Sequence, residues 1–219
     1  MSDTVPVVHD LNHNNVVNIH RAAANGIVGI IHKATQGVSF IDSKYPSRRE
    51  IADDAEVCWG AYHFCSGDSP RAQVEFFFNA AKPDDKTVMC LDYEDNVHSQ
   101  MSLEQAVEFL TIGDEKLGRP IDIYSGNRIK EMIRGASAET RALFGKRRLW
   151  LAQYGSKARL LDYDGKPLPW DHYWLWQRWA DGAGTKPIPH VAGLQDDADL
   201  SVFMDTPDVL KATWVGVTS

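Results

Sequence analysis

The sequence predicts an α/β fold whose eight strands close into an irregular barrel, with helices that thin out in the second half. Three observations carry this. Eight β-branched or aromatic runs recur along 219 residues, enough to close a barrel. Helical patterns separate the early runs, and strand–helix alternation through residue 126 implies a parallel sheet. The stretch 154–172, YGSKARLLDYDGKPLPWDH, shows no good helical pattern. Its Asp164-Gly165 step and its prolines predict loops or a hairpin.

The eight predicted strands are VPVVHDL (5–11), IVGIIHKA (27–34), WGAYHF (59–64), TVMCLDYE (87–94), PIDIYSG (120–126), LWLAQY (149–154), YWLWQRW (173–179) and ADLSVF (198–203). Between them, NNVVNIHRAAANG (14–26) predicts a helix stopped at Gly26. SPRAQVEFFFNAAK (69–82) offers Ser69 as N-cap with Pro70 in the first turn. In SLEQAVEFLTIGDEKLGRP (102–120), Ser102 and Gln105 make a capping box. Leu103, Val107, Leu110 and Leu117 keep helical spacing, and Gly118 with Pro120 ends the run. GNRIKEMIRG (126–135) predicts a shorter helix. No linker, repeat or low-complexity segment interrupts residues 1–219, which are expected to form a single catalytic domain.

Composition narrows the function. Hydrophobic residues at 43% and charged residues at 24% fit a globular protein, and the net charge is −7 with a pI near 5.6. That balance argues against nucleic acid as the main partner, since phosphate binding wants a basic face. It leaves room for a glycan. No run approaches the roughly 20 apolar residues of a membrane span. The N-terminal stretch MSDTVPVVHDLNHNN lacks a basic segment followed by an apolar one, so no secretory signal is expected. Cys58, Cys65 and Cys90 are expected to be reduced thiols, consistent with cytoplasmic synthesis. Metal-ligand spacings such as CxxC or HExxH are absent.

The chemistry concentrates in LDYED, residues 91–95. On a strand, Asp92 and Glu94 share one face, with α-carbons about 7 Å apart. Like charges that close resist joint ionisation, so one carboxyl pKa should rise. A raised carboxyl beside an ionised one is the working pair of acid-catalysed glycoside cleavage; the alternative is an ordinary strand end reaching solvent. Active sites of such barrels lie at the C-terminal ends of the strands. Those ends bring Asp10, Lys33, His63, Asp92, Glu94, Tyr124 and Tyr154 to one mouth.

Taken together, VVHDLNHNN, GIIHKATQG, GAYHFCSGDSP, LDYED, IYSGN, LWLAQYG, WLWQ and DADLSVF resemble glycoside hydrolase family 25, the Chalaropsis-type lysozymes, over residues 7–203. The resemblance implies an irregular TIM-like barrel of five βα units followed by three strands. It implies an N-acetylmuramidase that cuts the β-1,4 bond between N-acetylmuramic acid and N-acetylglucosamine in peptidoglycan. Glu94 then falls on the general acid, and Asp92 on the group that assists the substrate's acetamido. Asp10 and Asp199 fall on acids lining the site. Tyr62, Tyr124, Tyr154 and Lys33 are substrate-binding candidates, each with a structural role as the alternative, and His63 is the better candidate for a structural histidine. No metal and no cofactor are implied. Three departures bear on subsite detail: Asn12 where the family more often has Ser, Arg178 after Gln177, and Ser201 where Asn is frequent.

Retention through the acetamido oxygen is the favoured mechanism, with burial and the Asp92 charge both raising the Glu94 pKa. The rivals are a catalytically inactive carbohydrate-binding barrel and a metal-dependent hydrolase built on His9, Asp10, His63 and Asp92. The partner is expected to be the peptidoglycan glycan strand, and the protein a monomer. The protein is expected to be made in the cytoplasm and to reach the wall through phage lysis or a secretion machine.

Overall fold

A computed structural model describes residues 5–216. Residues 1–4, which begin the segment read as lacking a leader, lie outside the described residues. The chain forms β1 (Pro6–Leu11), α1 (Ile19–Ala23), β2 (Gly29–Gln36), β3 (Phe40–Ile41), α2 (Tyr45–Asp54), β4 (Cys58–Phe64), α3 (Pro70–Ala81) and β5 (Val88–Asp92). It continues with α4 (Leu103–Leu117), β6 (Asp122–Ser125), α5 (Asn127–Met132), a 3₁₀ turn (Ile133–Gly135), α6 (Ala138–Gly145), β7 (Leu149–Ala152), β8 (Leu175–Trp179), β9 (Asp199–Val202) and α7 (Pro207–Ala212).

Eight strands close a mixed barrel. The pairs β1–β2, β2–β4, β4–β5, β5–β6, β6–β7 and β7–β8 are parallel. β9 runs antiparallel to both β8 and β1 and shuts the ring. β3 pairs only with the end of β2, as a short hairpin outside the ring.

All eight predicted barrel strands are present, most of them trimmed. β5 ends at Asp92, so Glu94 lies just past the strand rather than on it. α4 matches its prediction: the Ser102 side chain accepts from the Gln105 amide, Gln105 returns the bond to the Ser102 amide, and Gly118 turns left-handed at φ 77°. Ser69 stands at the start of α3 without a capping bond from its side chain, so Pro70 alone sets that entry. The helix predicted over 14–26 shrinks to Ile19–Ala23. Asn18 caps it, and the stretch before it is tied to the 193–195 loop through the Asn18 amide to the Gly193 carbonyl (2.8 Å) and the Val16 amide to Gln195 Oε1 (2.8 Å). The predicted helix at 126–135 tightens into the 3₁₀ turn after Met132. In the 154–172 stretch, Leu161 bridges Pro167, and Asp162 receives the amides of Asp164 and Lys166, as the Asp-Gly signal predicts. α2, α6, α7 and β3 had no counterpart in the sequence reading.

Strand alternation sorts the core into two layers. Inside the ring lie Val8, Ile31, Val88, Cys90, Tyr124, Trp150 and Leu175. Between ring and helices lie Ile30, Ala61, Met89, Leu91, Ile123 and Leu151 with Phe77, Phe109 and Leu110. β5 is buried along its whole length, as parallel strands covered on both faces are.

The C-terminal segment stoppers the ring at the end where the parallel strands begin. Thr206 caps α7, whose Leu210 joins the inner core together with Trp214. The Trp214 indole donates to the Trp59 carbonyl (2.8 Å) and lies so close to Gly29 that a Cβ there would overlap the indole ring. Arg148 stacks over Trp174 at 3.7 Å, pairs with Asp122 and donates to the Thr213 and Trp214 carbonyls. With that end plugged, the other end is left to form a site.

Candidate active site

At the C-terminal end of the parallel strands, a cavity of about 130 Å³ is walled by Asp10, Tyr62, Asp92, Glu94, Tyr124, Trp150, Tyr154, Gln177, Ala180, Asp181 and Asp199. A second recess of about 430 Å³ shares Glu94 and Tyr154 as walls and continues to Asp95, Gly126, Asn127, Arg128, Ala152 and Gln153. Glu94 therefore stands where the two spaces meet.

The backbone holds Glu94 there. The Cys65 amide donates to the Asp92 carbonyl (3.2 Å), the Tyr93 amide to the Tyr124 carbonyl (2.9 Å), and the Ser125 hydroxyl to the Tyr93 carbonyl (2.6 Å). The Cys65 thiol donates to the Glu94 carbonyl itself (3.8 Å). Tyr93 is fully buried in the helix layer. By alternation, Asp92 and Glu94 turn the other way, into the mouth.

Asp10 enters from β1 and Asp199 from β9, directly opposite in register. His9, facing outward from β1, is fully buried, and its Nδ1–H donates to the Asp199 carbonyl at 2.7 Å. Burial pulls its pKa down to about 4, so it acts as a neutral brace. The Asp181 amide donates to the Asp199 carboxylate at 3.0 Å. Trp150 forms the floor and donates to Ser201 Oγ at 2.8 Å, which accounts for a serine at that place in β9.

Four carboxyls in one mouth titrate unlike free ones. Burial, then the Asp95 charge, raises Glu94 to about 7. The sequence reading gave the neighbouring charge as Asp92; instead Asp92 itself is pushed well above the carboxylate range, by burial first and by Glu94 second. Asp92 is the deeper group, so it takes the penalty. Asp10 is also well raised, by burial and then by Asp199. Asp199 rises to about 7, chiefly through burial. One carboxyl oxygen each of Asp10 and Asp92 is buried without a hydrogen-bond partner.

The predicted site residues divide. Asp10, Tyr62, Asp92, Glu94, Tyr124, Tyr154 and Asp199 converge on the small cavity. Lys33 stands beside it: its ammonium donates to Gln36 Oε1 (2.7 Å) and rests on the Phe64 and Phe40 rings, while its charge lowers the Asp92 pKa. His63 is turned away from the mouth. It stacks on Phe109, with Nδ1 against Thr35 Oγ1 (2.8 Å) and Nε2 against Gln73 Oε1 (3.0 Å), and burial lowers it to about 4. Both its nitrogens are engaged and His9 faces outward, so the four groups of the metal-hydrolase rival do not converge. Among the described residues no three His, Cys, Asp or Glu side chains are set to hold a metal ion.

Gln177, Trp150 and Asp181 are site walls the sequence reading passed over. Gln177 had a signal: an uncharged polar residue inside the aromatic run YWLWQRW.

The same fold occurs in known proteins. Residues 9–183 match the family model described as glycosyl hydrolases family 25. A lysozyme from Streptomyces coelicolor superposes with a TM-score of 0.78 at 24% identity, over 96% of this chain and 97% of that one. A muramidase from Trichobolus zukalii does so with a TM-score of 0.75 at 26% identity, over 95% and 97%. An autolytic lysozyme from Clostridium acetobutylicum is 22% identical over 147 residues, 64% of this chain and 42% of the relative, so the match spans less than half of that protein. With four-fifths of its length under the family model and the fold to match, the chain belongs to glycosyl hydrolases family 25.

Proposed function

We propose that this protein is a muramidase that hydrolyses the β-1,4 bond between N-acetylmuramic acid and N-acetylglucosamine in peptidoglycan, with Glu94 as general acid. The observation that carries the reading is the placement of Glu94. It stands between two spaces that could hold the sugars on either side of a bond, and its pKa near 7 keeps a proton available at neutral pH. The carboxyl can deliver that proton to the leaving oxygen as the bond breaks.

Asp92 lies deeper, with one oxygen unpartnered, and suits the acetamido group of the sugar being cut. Its free oxygen can accept the amide N–H and turn the acetamido oxygen toward the anomeric carbon. The ring gains positive charge as the leaving group departs. Asp10 and Asp92 are buried and Asp199 half-buried, and the three are short of cations, with Lys33 set to one side. A ring gaining positive charge favours the ionised form of these carboxyls, so the well suits such a charge. Tyr62, Tyr124 and Tyr154 bound the same space and are proposed to contact the sugar.

A reducing-end assay on purified peptidoglycan, with mass spectrometry of the fragments, tests this. The expected products end in reducing N-acetylmuramic acid. Fragments ending in reducing N-acetylglucosamine, or wall binding without cleavage, would overturn it.

A further inference from the structure

We propose that Gln177 is a positioning residue of this site, whose side-chain amide fixes the carboxyl of Asp10 and aims the hydroxyl protons of Tyr124 and Tyr154. The inference rests on the muramidase reading for its kinetic consequence but not for its geometry.

Gln177 comes from β8, inside the ring, and is 1% exposed. Its Nε2 donates to Asp10 Oδ2 at 2.8 Å. Its Oε1 accepts from the Tyr124 hydroxyl at 2.7 Å and from the Tyr154 hydroxyl at 3.2 Å. One amide thus ties together β1, β6, β8 and the end of β7. The orientation follows from chemistry. An amide oxygen turned toward Asp10 would face another acceptor. Both phenols keep their protons, because burial holds their pKa values far above neutrality. Each phenol has one proton; both hydroxyls reach Gln177 Oε1 and each other, so both protons are spent within this trio.

The consequence reaches the cavity. With both phenol protons committed, the phenol oxygens offer only lone pairs to a ligand. Asp10 Oδ1 and Asp92 Oδ1 are buried oxygens without partners, on residues that wall the same cavity, and act as acceptors when their carboxyls are ionised. Gln177 therefore makes this wall acceptor-rich, matched to sugar hydroxyls, an amide N–H and a ring gaining positive charge. Among the described residues its N–H is also the one side-chain donor bonded to Asp10, which otherwise faces Asp199 on β9, Asp92 and Glu94 at the end of β5, and the phenols of Tyr62, Tyr124 and Tyr154. The cation Lys33 on β2 acts on Asp92 instead. Asp10 depends on Gln177 to keep Oδ2 fixed, and with it the orientation of the whole carboxyl.

Two variants separate this from simple space filling. Gln177→Leu removes all three bonds at similar volume. It should lower kcat on the order of 10–100-fold with KM little changed, as for a misplaced group, and should move the carboxyl titration of Asp10, followed by ¹³C NMR, to higher pH. Gln177→Glu keeps an acceptor for the two phenols but holds a donor toward Asp10 only while the new carboxyl is protonated. Its activity should approach the native value at acid pH and fall away as that carboxyl ionises. A folded Gln177→Leu protein with native kcat and native Asp10 titration overturns the proposal. So does a Gln177→Glu protein whose pH profile is unshifted, and that variant decides the matter if Gln177→Leu does not fold. If the native protein fails to cut peptidoglycan, the muramidase reading falls while the Asp10 titration still decides whether Gln177 positions Asp10.

Discussion

Asp10 and Asp199 occupy directly opposed positions on the antiparallel neighbours β1 and β9, and both carboxyls line the same cavity. Like charges so placed destabilise a sheet. A chain that keeps them has a site for which the charge is useful and a fold that bears the cost.

The first prediction concerns that cost. Asp199 titrates near 7 in the folded protein against an ordinary value of 3.8. Between those values the folded chain holds a proton the unfolded chain has lost, so stability falls as pH rises through the interval. Asp199→Asn keeps an acceptor for the Asp181 amide and removes the charge. It should stabilise the protein at pH 8 by at least about 1 kcal/mol, since each tenfold change in an ionisation constant between folded and unfolded chain carries about 1.4 kcal/mol. The gain should vanish near pH 3.5. Urea unfolding at the two pH values checks this, and an equal gain at both would refute it.

Glu94→Gln keeps the shape of the side chain and loses the proton. Wall digestion should drop by roughly 10²–10⁴-fold, the scale of general acid catalysis, with the thermal transition unchanged. In the native protein the acid must be protonated, so activity should decline as pH rises through about 7. Initial rates from pH 4 to 9 measure the limb. Near-native activity in a folded Glu94→Gln protein would remove Glu94 from the role.

If the acetamido oxygen is the nucleophile, the muramic acid end is released first as the β-anomer, and Asp92→Asn slows the reaction strongly. Proton NMR of the earliest products, before mutarotation, distinguishes the cases. An initial α-anomer would mean inversion and would recast Asp92 as a base that positions water.

Digestion should persist after exhaustive chelation. His9 braces Asp199 from the outer layer and His63 is enclosed by Thr35 and Gln73, so neither ring reaches the carboxyls. Activity lost to chelator and restored by zinc or manganese would contradict this geometry.

The far end of the barrel gives a test without catalysis. Trp214→Ala empties the space above Gly29 and leaves the Trp59 carbonyl without its indole donor. The expected destabilisation is about 3–5 kcal/mol, as for other large aromatic deletions. A loss under about 1 kcal/mol would mean that the C-terminal segment does not plug the ring.

The sequence by itself determined the barrel strands, the α4 capping box and the acids. Each is written in local pattern: apolar runs at strand period, a Ser and a Gln three residues apart, two carboxyls flanking one tyrosine in LDYED. It also supplied the family, since eight short segments in order are a one-dimensional signal. What only the tertiary structure decided were relations between segments distant in the chain. α2 and α7 were missed because their helicity depends on packing, Tyr45 against Trp59 and Leu210 with Trp214 against the ring, more than on a strong local period. His63 read as part of the mouth because it ends a strand, but alternation beside Tyr62 sends it to the outer layer. Gln177 stood in plain view, yet its three partners lie 23 to 167 residues away. The upward shift of Glu94 was legible and burial is its first cause, but which charge adds to it, Asp95 rather than Asp92, was not: the closed barrel decides which carboxyl lies deeper.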